Sequence, residues 1–309
     1  MKNTKTVALQ GHAALLAANL LWGLMAPMAK AVLLSGSINA ISLTTFRVFG
    51  AAILFWIASA VMKKEPVGRR DLIRLFFAAL FGIILNHGAY MFGVSLTSPI
   101  DVSIVVTTGP IIAMIIAAFY LKEPMTGKKV GGVFLGAGGA ILLIVSGYRS
   151  HVTDAAHSSL WGALLCLLSQ FCFATYFVVF KELTGRYSPV TLMKWMFTYA
   201  SVCMLPFSYT SIITIDFAAI SPTICWDVLY VVVVGTFVTF MLLPVGQRSL
   251  RPTVGVMYNY VQPIVTSSVA VWWGMDTFGW MKGLAIGLIF LGVYVVTLSK
   301  SRAQMNEEL

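Results

Sequence analysis

Twelve hydrogen-bonding side chains sit inside stretches of sequence that are otherwise apolar: Asn19, Asn86, His87, Tyr90, Thr107, Thr108, Gln170, Tyr176, Thr239, Tyr258, Asn259 and Gln262. Amides, hydroxyls, phenols and one imidazole can hold a small amphipathic solute by a few directed contacts, and Trp22 adds a flat apolar face. The spacing does not suit bond-breaking chemistry. No acid, base and nucleophile converge, and His151, Asp154 and His157 come together only in a short polar connector. Cys166, Cys172, Cys203 and Cys225 form no CxxC and have no histidine at ligand spacing. No catalytic residue, metal, cofactor or disulfide framework is therefore expected. For each polar residue two readings are open: hydrogen-bonded glue between helices, or the wall of a solute cavity. His87 is the one histidine well inside an apolar run. It is either a satisfied interior residue or a contact for a solute carboxylate or a coupling proton.

Charge is sparse within those runs. Lys30, Arg47 and Lys194 lie inside them, Lys181 closes one, and Asp101 opens another. Snorkelling to the membrane interface is one role for such cations. The other is a pair of gates, with Lys30, Arg47 and Asp101 towards one face and Lys181 towards the opposite one. None of the eleven acidic residues is expected near mid-bilayer. A buried carboxylate is a common proton relay or cation ligand in ion-coupled carriers. Without one, exchange or facilitated movement stands level with proton antiport.

The composition dictates the elements that carry these residues. Of 309 residues, 59% are hydrophobic and 10% are charged, and the mean hydropathy is +0.87. Water-soluble domains carry roughly 25% charged residues. Ten apolar runs are long enough for the hydrocarbon core: about 12–34, 39–61, 73–95, 100–121, 129–147, 159–181, 190–211, 226–247, 252–274 and 279–299. They show no period-2 alternation, and lipid offers the backbone no partners, so they are expected to be helices. The fold class expected is an all-α membrane protein with ten transmembrane helices. The first run is read as an uncleaved span rather than a signal peptide.

The net charge of +10 does not point to nucleic acid, because of where the charge falls. If the helices alternate, 16 of the 21 Lys and Arg residues lie in the segments on the side of the N-terminus. That bias puts both termini in the cytoplasm of a multi-pass cell (inner) membrane protein, with the basic loops against lipid headgroups.

The chain also repeats itself. At an offset of 153, Gly82 meets Gly235, Pro99 meets Pro252, Pro110 meets Pro263, Gly139 meets Gly292, and Glu123 meets Asp276. Near the start of each half the offset is 151, bringing Gly11 to Gly162, Asn19 to Gln170 and Lys30 to Lys181. The expected halves are 1–148 and 158–309. Five spans are an odd number, so the second half enters from the opposite side, as inverted repeats with a solute site between them. Pro110 and Pro263 are expected near the centres of spans four and nine, as packing kinks or as hinges at a cavity wall. Glu123 and Asp276 end those spans and should be clamped by nearby lysines: Lys122, Lys128 or Lys129 for the first, Lys282 for the second.

The ordered set of "LLWG" with Lys30, "GP", "FYLKEP", "GGVFLGAGGAILL" and "GLAIGLIFLGVYVV" resembles the EamA-type members of the drug/metabolite transporter superfamily over nearly the whole chain. The resemblance implies a fold of two inverted five-helix repeats. It also implies export of small metabolites, often amino acids. Asp276 stands where the family's usual glutamate would be, and no arginine in span seven matches Arg47. Multidrug or organic-cation efflux, import, a passive channel and an integral-membrane enzyme are the alternatives. Partners expected are a small-molecule substrate and the bilayer, and ten helices suffice for a pathway through one monomer. Reporter fusions at the two ends should both read cytoplasmic; ends on opposite sides would contradict an even number of crossings.

Overall fold

In bilayer lipid each unpaired backbone group costs several kcal/mol, so the apolar runs wind into helices that satisfy themselves. The computed structural model describes residues 4–96, 105–148, 160–213, 215, 220–272 and 279–299; Asp101, Asp276 and the side chain of Lys30 lie outside that description. Helix α1 spans Thr4–Leu34, α2 Ala40–Val61, α3 residues 69–96, α4 Gly109–Tyr120 and α5 Gly127–Tyr148. Then follow α6 (Leu160–Val179), a six-residue helix (Lys181–Arg186), α7 (Pro189–Ile213), α8 (Pro222–Ser249), α9 (residues 252–272) and α10 (Trp280–Thr297). Among the described residues there is no strand. Seven helices there are long and apolar enough to cross a membrane, and α4 is a shorter apolar helix.

The helix starts follow local chemistry. Asn39 accepts from the Ser42 backbone amide at the head of α2, and Ser221 accepts from Ile224 at the head of α8. Proline occupies the first turn of α4 and α8 and opens 252–257, where its missing N–H goes unneeded. Pro110 thus departs from expectation. It is not a mid-helix kink but belongs to the first turn of α4, after a turn at 107–108. A proline can begin a helix at no cost in hydrogen bonds, whereas inside one it strips a bond from the preceding turn. Pro263 lies within α9, just after a tightened 3₁₀ turn at Tyr258–Tyr260. Two further departures from regular helix are wide π turns, Leu80–Leu85 in α3 and Tyr230–Val238 in α8.

Large apolar residues face outwards. Phe119, Trp161, Trp226, Trp272 and Trp280 are all more than two-thirds exposed, as a lipid-facing surface requires. A continuous aromatic core runs through the bundle, with Phe55 stacked on Phe197 at 5.5 Å and Phe197 edge-on to Phe240 at 5.0 Å. Helix α1 packs against α8 and α9, α6 against α3 and α4, α2 against α7, and α4 against α9. The most extensive contact is α5 with α10. Small residues allow it: a Cβ built on Gly292 would sit 2.6 Å from the Gly136 amide nitrogen, and one on Gly139 would sit 2.8 Å from the Ala285 carbonyl.

Polar ties close one end of the bundle. Glu65 accepts from the Ser188 amide (3.0 Å) and hydroxyl (2.9 Å), and Asp71 accepts from the Tyr187 hydroxyl at 2.7 Å. Arg74 pairs with Glu182 at 2.7 Å, and Arg186 bridges Glu182 and Asp71. The hydrogen bond and charge of Arg74, joined by the charge of Arg186, hold the Glu182 carboxyl below its ordinary pKa, so it stays ionised at neutral pH. Of the three lysines offered for Glu123, Lys129 is the partner, at 2.6 Å and almost fully buried.

Two substitutions test this packing. Gly292→Leu should cost about 1–3 kcal/mol, because backbone on the facing helix cannot yield. Gly287→Ala, at a position with open space around it, should leave the protein at least as stable. Thermal unfolding in detergent reads both.

Candidate functional site

The wide turns of α3 and α8 position the polar residues at the middle of the bundle. A π turn carries one extra residue and leaves a backbone acceptor for a side chain to fill. In α8 the Thr236 hydroxyl fills it, donating to the Val231 carbonyl at 2.8 Å. That same hydroxyl oxygen accepts from Arg47 Nε on α2 at 3.0 Å. In α3 the wide turn ends at Leu85, and Asn86, His87 and Tyr90 follow it directly.

Arg47, His87 and Tyr90 each keep accessible surface, 39% in the case of Tyr90. Arg47 is near enough to His87 and Tyr90 for its charge to act on both. His87 Nδ1 is enclosed and has no hydrogen-bond partner among the described residues.

Aromatic rings pack beside this cluster. Trp22 on α1 donates from Nε1 to the Gly235 carbonyl at 3.1 Å, which ties α1 to the wide turn of α8. Its ring stands edge-on to Phe173 (6.3 Å) and Phe240 (5.8 Å), and Phe240 in turn meets the His87 ring at 6.2 Å.

Other expected site residues are tied into the helix framework. Gln262 Nε2 donates to Asn19 Oδ1 at 2.8 Å, and Asn19 donates to the Leu15 carbonyl at 2.9 Å. Asn86 Nδ2 donates to both the carbonyl (2.9 Å) and hydroxyl (3.0 Å) of Ser169. Thr108 donates to the Val105 carbonyl, and Thr239 to the Gly235 carbonyl. The Thr107 carbonyl accepts from Tyr260 at 3.1 Å. The Gln170 amide oxygen faces Gly109 so closely that a Cβ there would lie 2.7 Å away. Tyr176 is buried against Gly82, with its hydroxyl unpartnered among the described residues. Tyr258 bonds His12 Nδ1 at 2.7 Å, and Asn259 is buried in the 3₁₀ turn.

The cations fall into two groups. Lys181 Nζ donates to the Leu250 carbonyl, pinning the six-residue helix to the α8–α9 junction. Lys194 donates to Ser59 at 2.9 Å and lies 4.7 Å above the Trp56 ring. Among the named cations whose side chains are described, Arg47 is the one beside His87, Tyr90 and Thr236. One residue with a structural part went unremarked in the sequence: Gln247, fully buried and donating to the Phe177 carbonyl at 2.9 Å. The amide of Gln247, at the very end of an apolar run, was the available signal. Among the described residues no group of three or more His, Cys, Asp or Glu could hold a metal.

A bundle of apolar helices around a cluster of polar and aromatic side chains suits a protein that spans a membrane. The EamA-like transporter family model matches residues 9–145 and again 160–298, and the chain belongs to that family. Relatives bear the same description. An uncharacterized transporter of Acidianus ambivalens is 24% identical over 266 residues, covering 84% of this chain and 96% of the relative. The uncharacterized transporter YetK of Bacillus subtilis is 21% identical, covering 82% and 76%. An uncharacterized transporter of Archaeoglobus fulgidus is 25% identical over 175 residues; this chain spans 59% of its length. A solved crystal structure superposes with a TM-score of 0.76 at 17% identity, covering 99% of each chain, and shares the fold.

The Asn19–Gln262 bond joins α1 to α9 and can be measured directly. A double-mutant cycle with Asn19→Ala and Gln262→Ala, followed by unfolding in detergent, should give a coupling of about 0.6 kcal/mol and no more than roughly 1.7 kcal/mol. A coupling of zero would mean the two amides stabilise the bundle independently.

Proposed function

We propose that this protein is a secondary transporter that exports small amphipathic metabolites, amino acids foremost, by alternating access. In this reading ten crossings of the cell membrane form two inverted five-helix repeats, residues 1–148 and 158–309, with both termini cytoplasmic. The observation that carries it is one polar cluster shared by the halves, which we read as the wall of an internal crevice: Arg47 bonds Thr236, the His87 ring meets Phe240, and Tyr90, within reach of the Arg47 charge, keeps accessible surface.

The pattern of contacts supports an inverted pair. Exchange of the halves turns the α1 contacts with α8 and α9 into the α6 contacts with α3 and α4. The α2–α7, α4–α9 and α5–α10 contacts each map onto themselves. Single residues follow the same rule. Gly82 is packed by Tyr176, and Gly235, its repeat equivalent, is packed by Met25, the equivalent of Tyr176. Gly109 faces Gln170, and Gln262 bonds Asn19, which are again equivalent pairs. The wide turns 80–85 and 230–238 overlap at the same offset. Such a frame can exchange the arrangements of its two halves and so open to either side in turn.

In this reading Asn19, Trp22, Asn86, His87, Tyr90, Thr108, Gln170, Tyr176, Tyr258, Asn259 and Gln262 surround the path, and Lys30, Arg47, Asp101, Lys181 and Pro263 serve its gates and hinges. The resemblance to metabolite exporters favours efflux of amino acids. Reconstituted in liposomes, the protein should give saturable efflux of an apolar amino acid, accelerated when the same solute is present on the far side. Flux that rises linearly with concentration, with no acceleration from the far side, would indicate a channel instead.

A further inference from the structure

Helices α2 and α7 pack side by side along a groove of about 390 Å³ on the outer surface of the bundle. Side-chain size makes the groove. Ala52 and Ser201, small and buried, form its floor, while Ile53 and Ile57 of α2 and Val202 and Leu205 of α7, all more than half exposed, stand as its rims. The two hydroxyls on the α7 side do not reach into it. Thr198 accepts from Trp56 Nε1 at 2.9 Å and donates to the Lys194 carbonyl at 2.7 Å, and the Ser201 oxygen is enclosed. On α2 the groove runs from Phe49 to Ile57, roughly 12 Å at 1.5 Å per residue. That is most of the depth of one leaflet, about 15 Å of hydrocarbon.

A cation stands at one end of the groove. Lys194 lies one turn beyond Thr198. Its Nζ donates to Ser59 at 2.9 Å and sits 4.7 Å from the Trp56 ring and 5.7 Å from that of Trp195. Trp56 is thus both a wall of the groove and a platform for the ammonium. Lys63 and Lys64, both exposed, follow the last turn of α2 at this end. Glu65 is near enough for the Lys194 charge to act on it, and its oxygens are taken by Ser188. Lys63, Lys64 and Lys194 against Glu65 leave the mouth of the groove positive. The opposite end has no such cation in the repeat: offsets of 153 and 151 bring Lys194 to Ile41 and Leu43. Tryptophans settle at the membrane interface, and basic residues there gain from anionic headgroups. The occupant that matches is an amphiphile with an apolar chain one leaflet deep and a negative group at the interface.

We propose that the α2–α7 groove is a binding site for an anionic phospholipid, with one acyl chain along the groove and the phosphate held by Lys194. The inference needs only that the chain spans a bilayer. It is independent of what the protein transports, because the groove opens on the outside of the bundle.

Native mass spectrometry of the purified full chain, titrated with phosphatidylglycerol and with phosphatidylcholine of the same acyl chains, tests this. Phosphatidylglycerol should bind about fivefold more tightly. Lys194→Gln should remove that preference and Lys194→Arg should keep it. Val202→Trp, which fills the groove from an exposed rim, should weaken both lipids. Glycerol 3-phosphate, an anion with no chains, should not compete. Equal affinity for the two lipids, a preference that survives Lys194→Gln, or binding that Val202→Trp leaves unchanged overturns the proposal. Competition by glycerol 3-phosphate also overturns it, since that would mean a site for the ion alone. So does a dimer that Val202→Trp disperses, which would make the groove a contact between two copies of this chain. If Lys194→Gln does not fold, the ratio of the two lipids on the unaltered chain and the Val202→Trp titration still decide.

Discussion

Lipid supplies no hydrogen bonds, and this one constraint orders the whole molecule. Every polar group between the membrane faces must find a partner in protein or open onto a space that holds water or solute. Most of the polar side chains take the first course. Asn19 with Gln262, Asn86 with Ser169, Trp22 with the Gly235 carbonyl and Gln247 with the Phe177 carbonyl each tie one helix to another. Arg47, which bonds Thr236 through one of its donors, and His87 and Tyr90 keep accessible surface, and in our reading they take the second course.

The same constraint explains why irregular helix is concentrated near the crevice. A wide turn exposes a backbone acceptor that lipid cannot satisfy, so it survives where a side chain such as Thr236 can fill it. Once there, the filled turn presents its hydroxyl to Arg47. The prolines follow a related logic. Pro110 begins a helix, where its missing donor is harmless, while Pro263 follows a tightened turn whose residues are buried among neighbours. Close approach of α5 and α10 needs no polar group at all, only glycines that let two backbones meet.

Much of this was legible in the sequence. Hydropathy alone specified an all-helical membrane protein. Gly82, which recurs in the sequence at Gly235, is packed by Tyr176, and Gly235 is packed by Met25. The role of individual polar residues was not legible. An amide within an apolar run reads the same whether it is glue or cavity wall; the difference lies in what stands opposite, and that is set by helices far away in the chain. For Arg47 the position within a span was visible, and its neighbours Thr236, His87 and Tyr90 were not. Pro110 misled for a similar reason, since a proline within an apolar run does not announce whether the helix bends there or begins there.

The central claim is that one crevice is reached from either face in turn. Single cysteines introduced at Tyr90, in a protein whose four native cysteines have been replaced, can be probed with a membrane-impermeant thiol reagent added from one side and then the other. The account predicts labelling from both sides, at rates that shift in opposite directions when solute is supplied on one face. Labelling from one side only, at a rate that solute leaves unchanged, would contradict it.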